Sequence, residues 1–407
     1  MIPAFVLFGL SLQILAGPTA PVDSSPPDSA PAPFEADLVV KAPGGPETHV
    51  FLRPGHGTVT LRVSFPLAES TDEAGAAQIL RALAEARMQG MARRIAARPR
   101  VARTTEALVY EVSGPASELD FLVWILSEGL RQPEADQFNQ VRRNQLAEVL
   151  RRQETPQGVL ALRIRAAAGG SVVPILGSQV ALERMHSGVV EEVWRRSHGR
   201  DRARIVVVGD VDPEVVLASL SDLKLLAPSG EPRPGTSAAA GQPSMQPEVI
   251  RHWVAEAWTM ERPRDARALV AVALLGERLR SGGGDYELGA EVWDIAGRWT
   301  LVISGAAYPR THQAMRARIP GLMGEVLTAV SDEAVQTQAA RIRGDILLQA
   351  STPWGLAELV GQAMDAGLES RSVQMVLDEL TRMEANDLRV LLTSLGGRTP
   401  LRQEIRP

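Results

Sequence analysis

Six histidines and no cysteine set the chemistry open to this chain. Without Cys there is no disulfide, no thiol nucleophile and no Cys-ligated metal centre. His49, His56, His186, His198, His252 and His312 remain as metal ligands or proton carriers, and no two lie within one helical turn. Neither His-x-x-x-His nor His-x-x-His occurs, so no single helix presents two imidazoles to one cation. His49 and His56 flank a Pro54-Gly55 turn, but no carboxylate pair nearby completes a ligand set. All six read as surface or strand-end histidines. Serine-hydrolase chemistry lacks its Gly-x-Ser-x-Gly elbow. Gly282, Gly283 and Gly284 are not followed by the Lys-Ser/Thr of a phosphate loop and read as a turn.

Composition narrows the classes further. The 407 residues carry a net charge of -5. With the pI near 5.8, that argues against a nucleic-acid-coating protein. Only Lys41 and Lys224 are lysines among the 43 basic residues, a mark of genome composition rather than of a basic site. Arg93, Arg94, Arg98, Arg100 and Arg103 form a basic run that reads as a solvated helix end. Aromatics at 4% leave too few rings for a single-strand stacking platform. Hydrophobic residues at 45% are ample for packed cores.

The elements that position these residues follow from periodicity. An uncharged apolar run followed by Ala16-Gly17-Pro18-Thr19-Ala20 makes 1–20 read as a signal peptide, with a frayed apolar tail or an uncleaved anchor as the alternatives and a bacterial periplasm or cell envelope as the expected destination. Residues 21–33, rich in Pro, Ser, Asp and Ala, read as a flexible tether. No later stretch has the length and apolarity to span a membrane. Residues 48–53 and 58–65 alternate as half-buried strands do, 72–97 is helical, and 104–112 is a further strand. Helical patterns follow at 115–130, 134–153, 158–168 and 189–198, then a β-branched strand at 203–208. Asp212 caps a helix that Pro213 opens. Residues 227–247 form a Pro/Gly/Ser/Ala linker between domains at 34–226 and 248–400. The second half repeats the order: a strand at 249–258, a helix at 264–280, a hairpin around Gly297, then five helices between 310 and 395. Trp253, Trp258, Trp293 and Trp299 read as core or domain-interface residues. The fold class is α+β, two duplicated domains, each a mainly antiparallel sheet packed against helices.

Several stretches, in order, resemble the M16 metallopeptidases, the insulinase-type, pitrilysin-like family, nearest its mitochondrial-processing-peptidase and bacterial two-domain members. They are Val59-Thr60-Leu61-Arg62-Val63-Ser64-Phe65 with Glu73-Ala74-Gly75; Pro174-Ile175-Leu176-Gly177; Arg204-Ile205-Val206-Val207-Val208-Gly209-Asp210-Val211-Asp212-Pro213; and Leu275-Gly276-Glu277-Arg278-Leu279. Active members carry His-x-x-Glu-His on the first long helix, two imidazoles for Zn²⁺ and a glutamate that activates the metal-bound water. Aligned on Gly75, this chain puts Gln78 and Ala82 at the histidines and Arg81 at the glutamate. An amide is a poor zinc ligand, a methyl is none, and a guanidinium cannot act as base. No metal, cofactor or catalytic residue is therefore expected. Glu148 falls near the third ligand's place but reads as a solvated helical residue beside Arg151 and Arg152. Leu80, Leu83, Ala84, Met88, Met91 and Ile95 give the same helix a core stripe, and Arg81 and Glu85 pair at i,i+4.

The resemblance implies a non-catalytic subunit that pairs with a zinc-bearing chain of the same fold and encloses unfolded peptide. A structural or assembly protein, as M16-like subunits of the respiratory bc1 complex are, is the alternative; a peptidase with an unrecognised mechanism has least support. In the family an Arg and a Tyr of the second domain contact the substrate backbone. Arg278 and Tyr286 are the nearest equivalents, and ordinary packing is the competing role.

Overall fold

The computed structural model describes residues 34–407, apart from 42, 68, 170–173, 229–247, 263, 282–285 and 296–297. The expected signal peptide, the tether, nearly all of the linker, the three-glycine turn and the hairpin turn at Gly297 lie outside the described residues.

The first half contains β1 (Leu38–Lys41), β2 (Glu47–Leu52), β3 (Thr58–Pro66), α1 (Ala76–Ala92), β4 (Arg98–Arg103), β5 (Ala107–Pro115), α2 (Leu119–Leu130), α3 (Phe138–Gln153), α4 (Pro156–Gly169), α5 (Gln179–Arg184), α6 (Ser187–Ser197), β6 (Arg204–Gly209) and α7 (Pro213–Leu220). The second contains β7 (His252–Thr259), α8 (Ala266–Ser281), β8 (Tyr286–Ile295), β9 (Arg298–Ala307), α9 (His312–Ala329), α10 (Asp332–Ala350), α11 (Pro353–Asp365), α12 (Ser372–Arg382), α13 (Ala385–Gly396) and β10 (Leu401–Ile405). The first sheet runs β1-β2-β6-β3-β5-β4, with only the β2–β6 pair parallel; the second runs β10-β7-β9-β8, all antiparallel. The expected α+β class, with mainly antiparallel sheets packed on helices, is what the chain adopts.

Local chemistry accounts for many of the element ends. Asp212 Oδ1 accepts from the amides of Glu214 and Val215 and starts α7 ahead of Pro213, as expected. Three strands escape the sequence reading, the first of them β1 at Leu38–Lys41. The arginine-rich run does not continue the first helix: α1 stops at Ala92, and Arg98–Arg103 is the edge strand β4, with Arg103 buried. The second sheet is completed by β10, beyond residue 400.

The inner strands of the first sheet, β2, β6, β3 and β5, are buried on both faces rather than one. Leu61, Val63 and Phe65 of β3 join Val50, Ile205 and Val207 in a core with α1 and α2. On the opposite face Phe51, Val206 and Val208 belong to the core of the second half. The covering element there is α11, capped by Thr352 and started by Pro353. In return, Val159, Leu160 and Ile164 of α4 cover the second sheet at Ala255, Ala257, Val302 and Ile405. Each half thus seals one face of the other half's sheet. Trp258 and Trp299 are in the second core, while Trp253 and Trp293 pack where α4 meets the sheet, as expected for core and interface residues.

The polar face of β3 makes the cover by α11 specific. Arg62, 2% exposed, donates Nη2 to Asp365 Oδ2 (2.5 Å) and Nε to Glu111 Oε1 (3.1 Å). Ser64 Oγ donates to Asp365 Oδ1 (2.6 Å), and Arg100 joins Glu111 (3.4 Å) and Glu358 (3.1 Å). Burial pulls the Arg62 guanidinium down, but Asp365 and Glu111 outweigh it. Gly361 lets α11 approach: a Cβ there would meet Arg62 Cζ at 2.3 Å. Truncating one partner of a buried ion pair leaves an uncompensated charge, so Asp365→Ala is expected to lose about 3–5 kcal/mol. Urea unfolding measures this; a loss below about 1 kcal/mol would mean that the pair does not hold the halves together.

Candidate functional site

The face of α1 aligned with the zinc motif of the M16 resemblance begins at a glycine joint. Gly75 (φ 101°) and Gly177 (φ 87°) adopt left-handed backbone and pack against each other. A Cβ on Gly177 would stand 2.3 Å from Ala74 O. Gln145 Nε2 of α3 clamps the crossing by donating to Gly75 O (3.0 Å) and Leu176 O (2.7 Å). The two glycine motifs singled out in the sequence, more than a hundred residues apart, are therefore one structural joint. Glu69 accepts from the Ala77 amide (2.7 Å) at the positive end of the helix and from Arg103 Nη2 (3.0 Å). Glu73 accepts from the Ser70 amide (2.8 Å) and from Arg196 (2.6 Å).

Downstream of this joint α1 has a buried side and a half-exposed side. Leu80, Leu83, Ala84 and Met88 are buried as expected; Met91 is only partly buried and Ile95 lies past the helix end. Gln78, Arg81, Ala82 and Glu85 line the half-exposed side. Arg81 Nη1 donates to Glu85 Oε2, the expected i,i+4 pair, and also reaches Val101 O of β4 (3.4 Å). Strand β4 pairs with β5 alone, and its Pro99 has no amide N–H to donate. The guanidinium thus bridges the helix to the carbonyl of an edge strand.

Glu148 behaves as the solvated residue expected. Arg151 donates to it through Nε and Nη2, and Arg152 through Nε, all at 2.8 Å. Chiefly through the Arg151 hydrogen bond, its carboxyl is held at about 2. Among the described residues no three His, Asp or Glu side chains gather as a metal-ligand set. Arg278 is exposed on α8; Tyr286 opens β8 opposite Ala307, its ring half-buried against the second core.

Two histidines depart from the surface reading. His198 is 2% exposed and stacks on Phe65 at 4.4 Å. Its Nδ1 donates to Trp194 O (3.0 Å), so Nε2 accepts from the buried Tyr110 hydroxyl (2.7 Å). Burial pulls its imidazole down to about 3. His49 is 7% exposed in β2. His252 and His312, 60 residues apart, stack with ring centroids at 4.1 Å, a contact without a sequence signal.

Two mainly antiparallel sheets, each closed by a helix from the other half, with a glycine-jointed helix beside an edge strand, form the M16 peptidase-type fold. Solved structures of this shape include a protease from Helicobacter pylori (TM-score 0.75, 13% identity, covering 91% of this chain and 99% of that one). Another is a peptidase M16 inactive domain from Pseudomonas fluorescens (0.70, 11%, 88% and 94%). A chain of complex III2 from Candida albicans also matches (0.71, 10%, 90% and 95%). No protein-family model and no curated protein matches the sequence.

The neutral, buried His198 binds its proton more readily in the unfolded chain. Stability is therefore expected to fall as pH drops from about 6.5 towards 3, by up to about 1.4 kcal/mol per pH unit. Denaturation of wild type and His198→Gln at pH 7.5, 6.5 and 5.5 checks this: the variant's curve should be flatter, and parallel curves would refute it. Arg81→Ala, which removes a partly exposed pair, should change unfolding free energy by less than about 1 kcal/mol in the same assay.

Proposed function

We propose that this chain is a non-catalytic M16-like subunit that pairs with a zinc-bearing chain of the same fold and supplies part of the wall of a peptide-binding chamber. The observation that carries the reading is the face of α1. The joint that sets the helix is kept, while an amide, a guanidinium and a methyl stand where two imidazoles and a carboxylate would work. Arg81 adds a fixed positive charge that opposes any cation there. A water held at this face would have no Lewis acid to activate it, and the Glu85 carboxylate there is paired with Arg81.

Peptide engagement would then rest on backbone pairing at a sheet edge. Edge β4 is poorly suited, with Pro99 in the strand and Arg81 on the Val101 carbonyl. Edge β8 has ten residues without proline and begins at Tyr286, which makes Tyr286 the better placed of the two expected substrate contacts; Arg278 lies on the preceding helix. The apolar N-terminal run supports an exported, envelope-located chain. Among the described residues no helix is long and apolar enough to cross a membrane. The likeness to a chain of complex III2 favours a second reading, a structural subunit with no proteolytic role.

Metal analysis of the purified chain is expected to find less than stoichiometric zinc, and incubation with unfolded peptides should leave them intact. Chelator-sensitive cleavage by this chain alone would overturn the proposal. Cleavage restored by a co-purifying zinc-bearing chain would support the pair. A stable complex without cleavage would favour the structural role.

A further inference from the structure

Helix α2 and the turn between β6 and α7 wall an open groove of about 750 Å³. Trp124, 37% exposed, packs beside Phe121 with ring centroids at 5.0 Å, and Val215 of α7 is 54% exposed. With Val211 they make one apolar strip that passes from α2 to α7. Scattered apolar residues at a surface need no explanation, but a contiguous strip with a large ring in it marks a contact surface. None of the lining residues belongs to a strand, so the groove offers side chains and no free backbone edge.

Around the strip the charge has one sign. Glu118, Asp120, Asp210 and Asp212 line the groove, Glu214 follows on α7, and no Arg or Lys is among the lining residues. Elsewhere the arginines of this chain take up its exposed carboxylates: Arg151 and Arg152 pair with Glu148, Arg195 with Glu191 and Glu192, and Arg251 with Glu287. None of the five carboxylates here has a basic side chain within ion-pair distance among the described residues. Local hydrogen bonds fix three of them in place. Asp210 Oδ2 accepts from the Gly55 amide (2.9 Å), Asp120 Oδ1 from Ser219 Oγ (2.7 Å), and Asp212 caps α7. Those donors are neutral, and the positive ends of α2 and α7 offset the charge only in part.

We propose that this groove docks a partner protein through a basic segment that carries a bulky apolar side chain, the apolar group seated on Trp124 and Phe121 and the flanking arginines or lysines on Glu118, Asp120, Asp212 and Glu214. Such a segment answers both properties of the groove at once, and a cation over the exposed ring of Trp124 gains further from its π face. The same groove on a second copy would set carboxylates against carboxylates, and an anionic membrane surface would be repelled for the same reason. The inference does not depend on pairing with a zinc-bearing chain, since neither the half-exposed face of α1 nor β8 takes part in the groove.

Fluorescence anisotropy of end-labelled peptides titrated with the full chain tests it. Arg-Lys-Leu-Phe-Lys-Arg should bind saturably at one site. Arg-Lys-Ser-Ser-Lys-Arg keeps the charge and Glu-Asp-Leu-Phe-Asp-Glu keeps the apolar pair; each should bind about tenfold or more weaker, the scale of one lost anchor at an interface. Trp124→Ala should weaken the first peptide as much. So should Glu118→Gln combined with Glu214→Gln, two exposed positions that keep the test intact if Trp124→Ala disturbs folding. Ile250→Ala and Glu192→Gln, exposed elsewhere, should not. Equal binding of the three peptides, equal effects of all the variants, or no saturation would overturn the assignment. Self-association of the chain, or binding to phosphatidylglycerol vesicles, that Trp124→Ala abolishes would overturn it too.

Discussion

Arg62 stands in the middle of a sheet, on a strand where every neighbour position is enclosed, and its charge is balanced mainly from the other half of the molecule. A guanidinium removed from water needs a carboxylate at close range and good geometry, because the cost of desolvation is otherwise uncompensated. Asp365 answers that need, Ser64 shares the same carboxylate, and Glu111 and Arg100 extend the cluster to Glu358. The position of α11, the absence of a side chain at Gly361 and the double burial of the first sheet are all consequences. Around the polar cluster lie the apolar contacts of Phe51, Val206 and Val208, which give the interface its area while the ions fix its register.

How far the sequence discloses this depends on whether a pattern is local. Asp212 and Pro213 announce a helix start through groups two or three residues apart, and the structure has that cap. The alternation of β3 discloses a strand but not its surroundings. Thr60, Arg62 and Ser64 look like a solvent face, and only the distant α11 reverses that reading. Strand β4 was hidden for a related reason: its arginines suggest solvent, but Arg103 is matched by Glu69 and Arg100 by Glu358, both remote in sequence, and by Glu111 opposite it on β5. His198 likewise finds its partners in Phe65 and Tyr110, which no periodicity places beside it.

The candidate site divides along the same line. That these positions of α1 offer no metal-binding groups is readable one at a time, since Gln78, Arg81 and Ala82 each lack the chemistry irrespective of packing. The purpose that Arg81 serves is not readable, because its contact with Val101 depends on where β4 lies. The backbone role of α1 rests on the joint at Gly75, Gly177 and Gln145 and not on the side chains of its half-exposed face.

The exchange of covering helices also bears on how the chain is made. Arg62 and Glu111, the counter-ion nearer to it in sequence, leave the ribosome long before Asp365, which follows Arg62 by 303 positions. Until then the first sheet presents a charged, incompletely sealed flank, and α4 waits for a sheet that has not been synthesised. Neither half can finish as an autonomous unit in N-to-C order. Completion of both cores therefore needs nearly the whole chain, and a chain cut before α11 would leave one face of the first sheet uncovered.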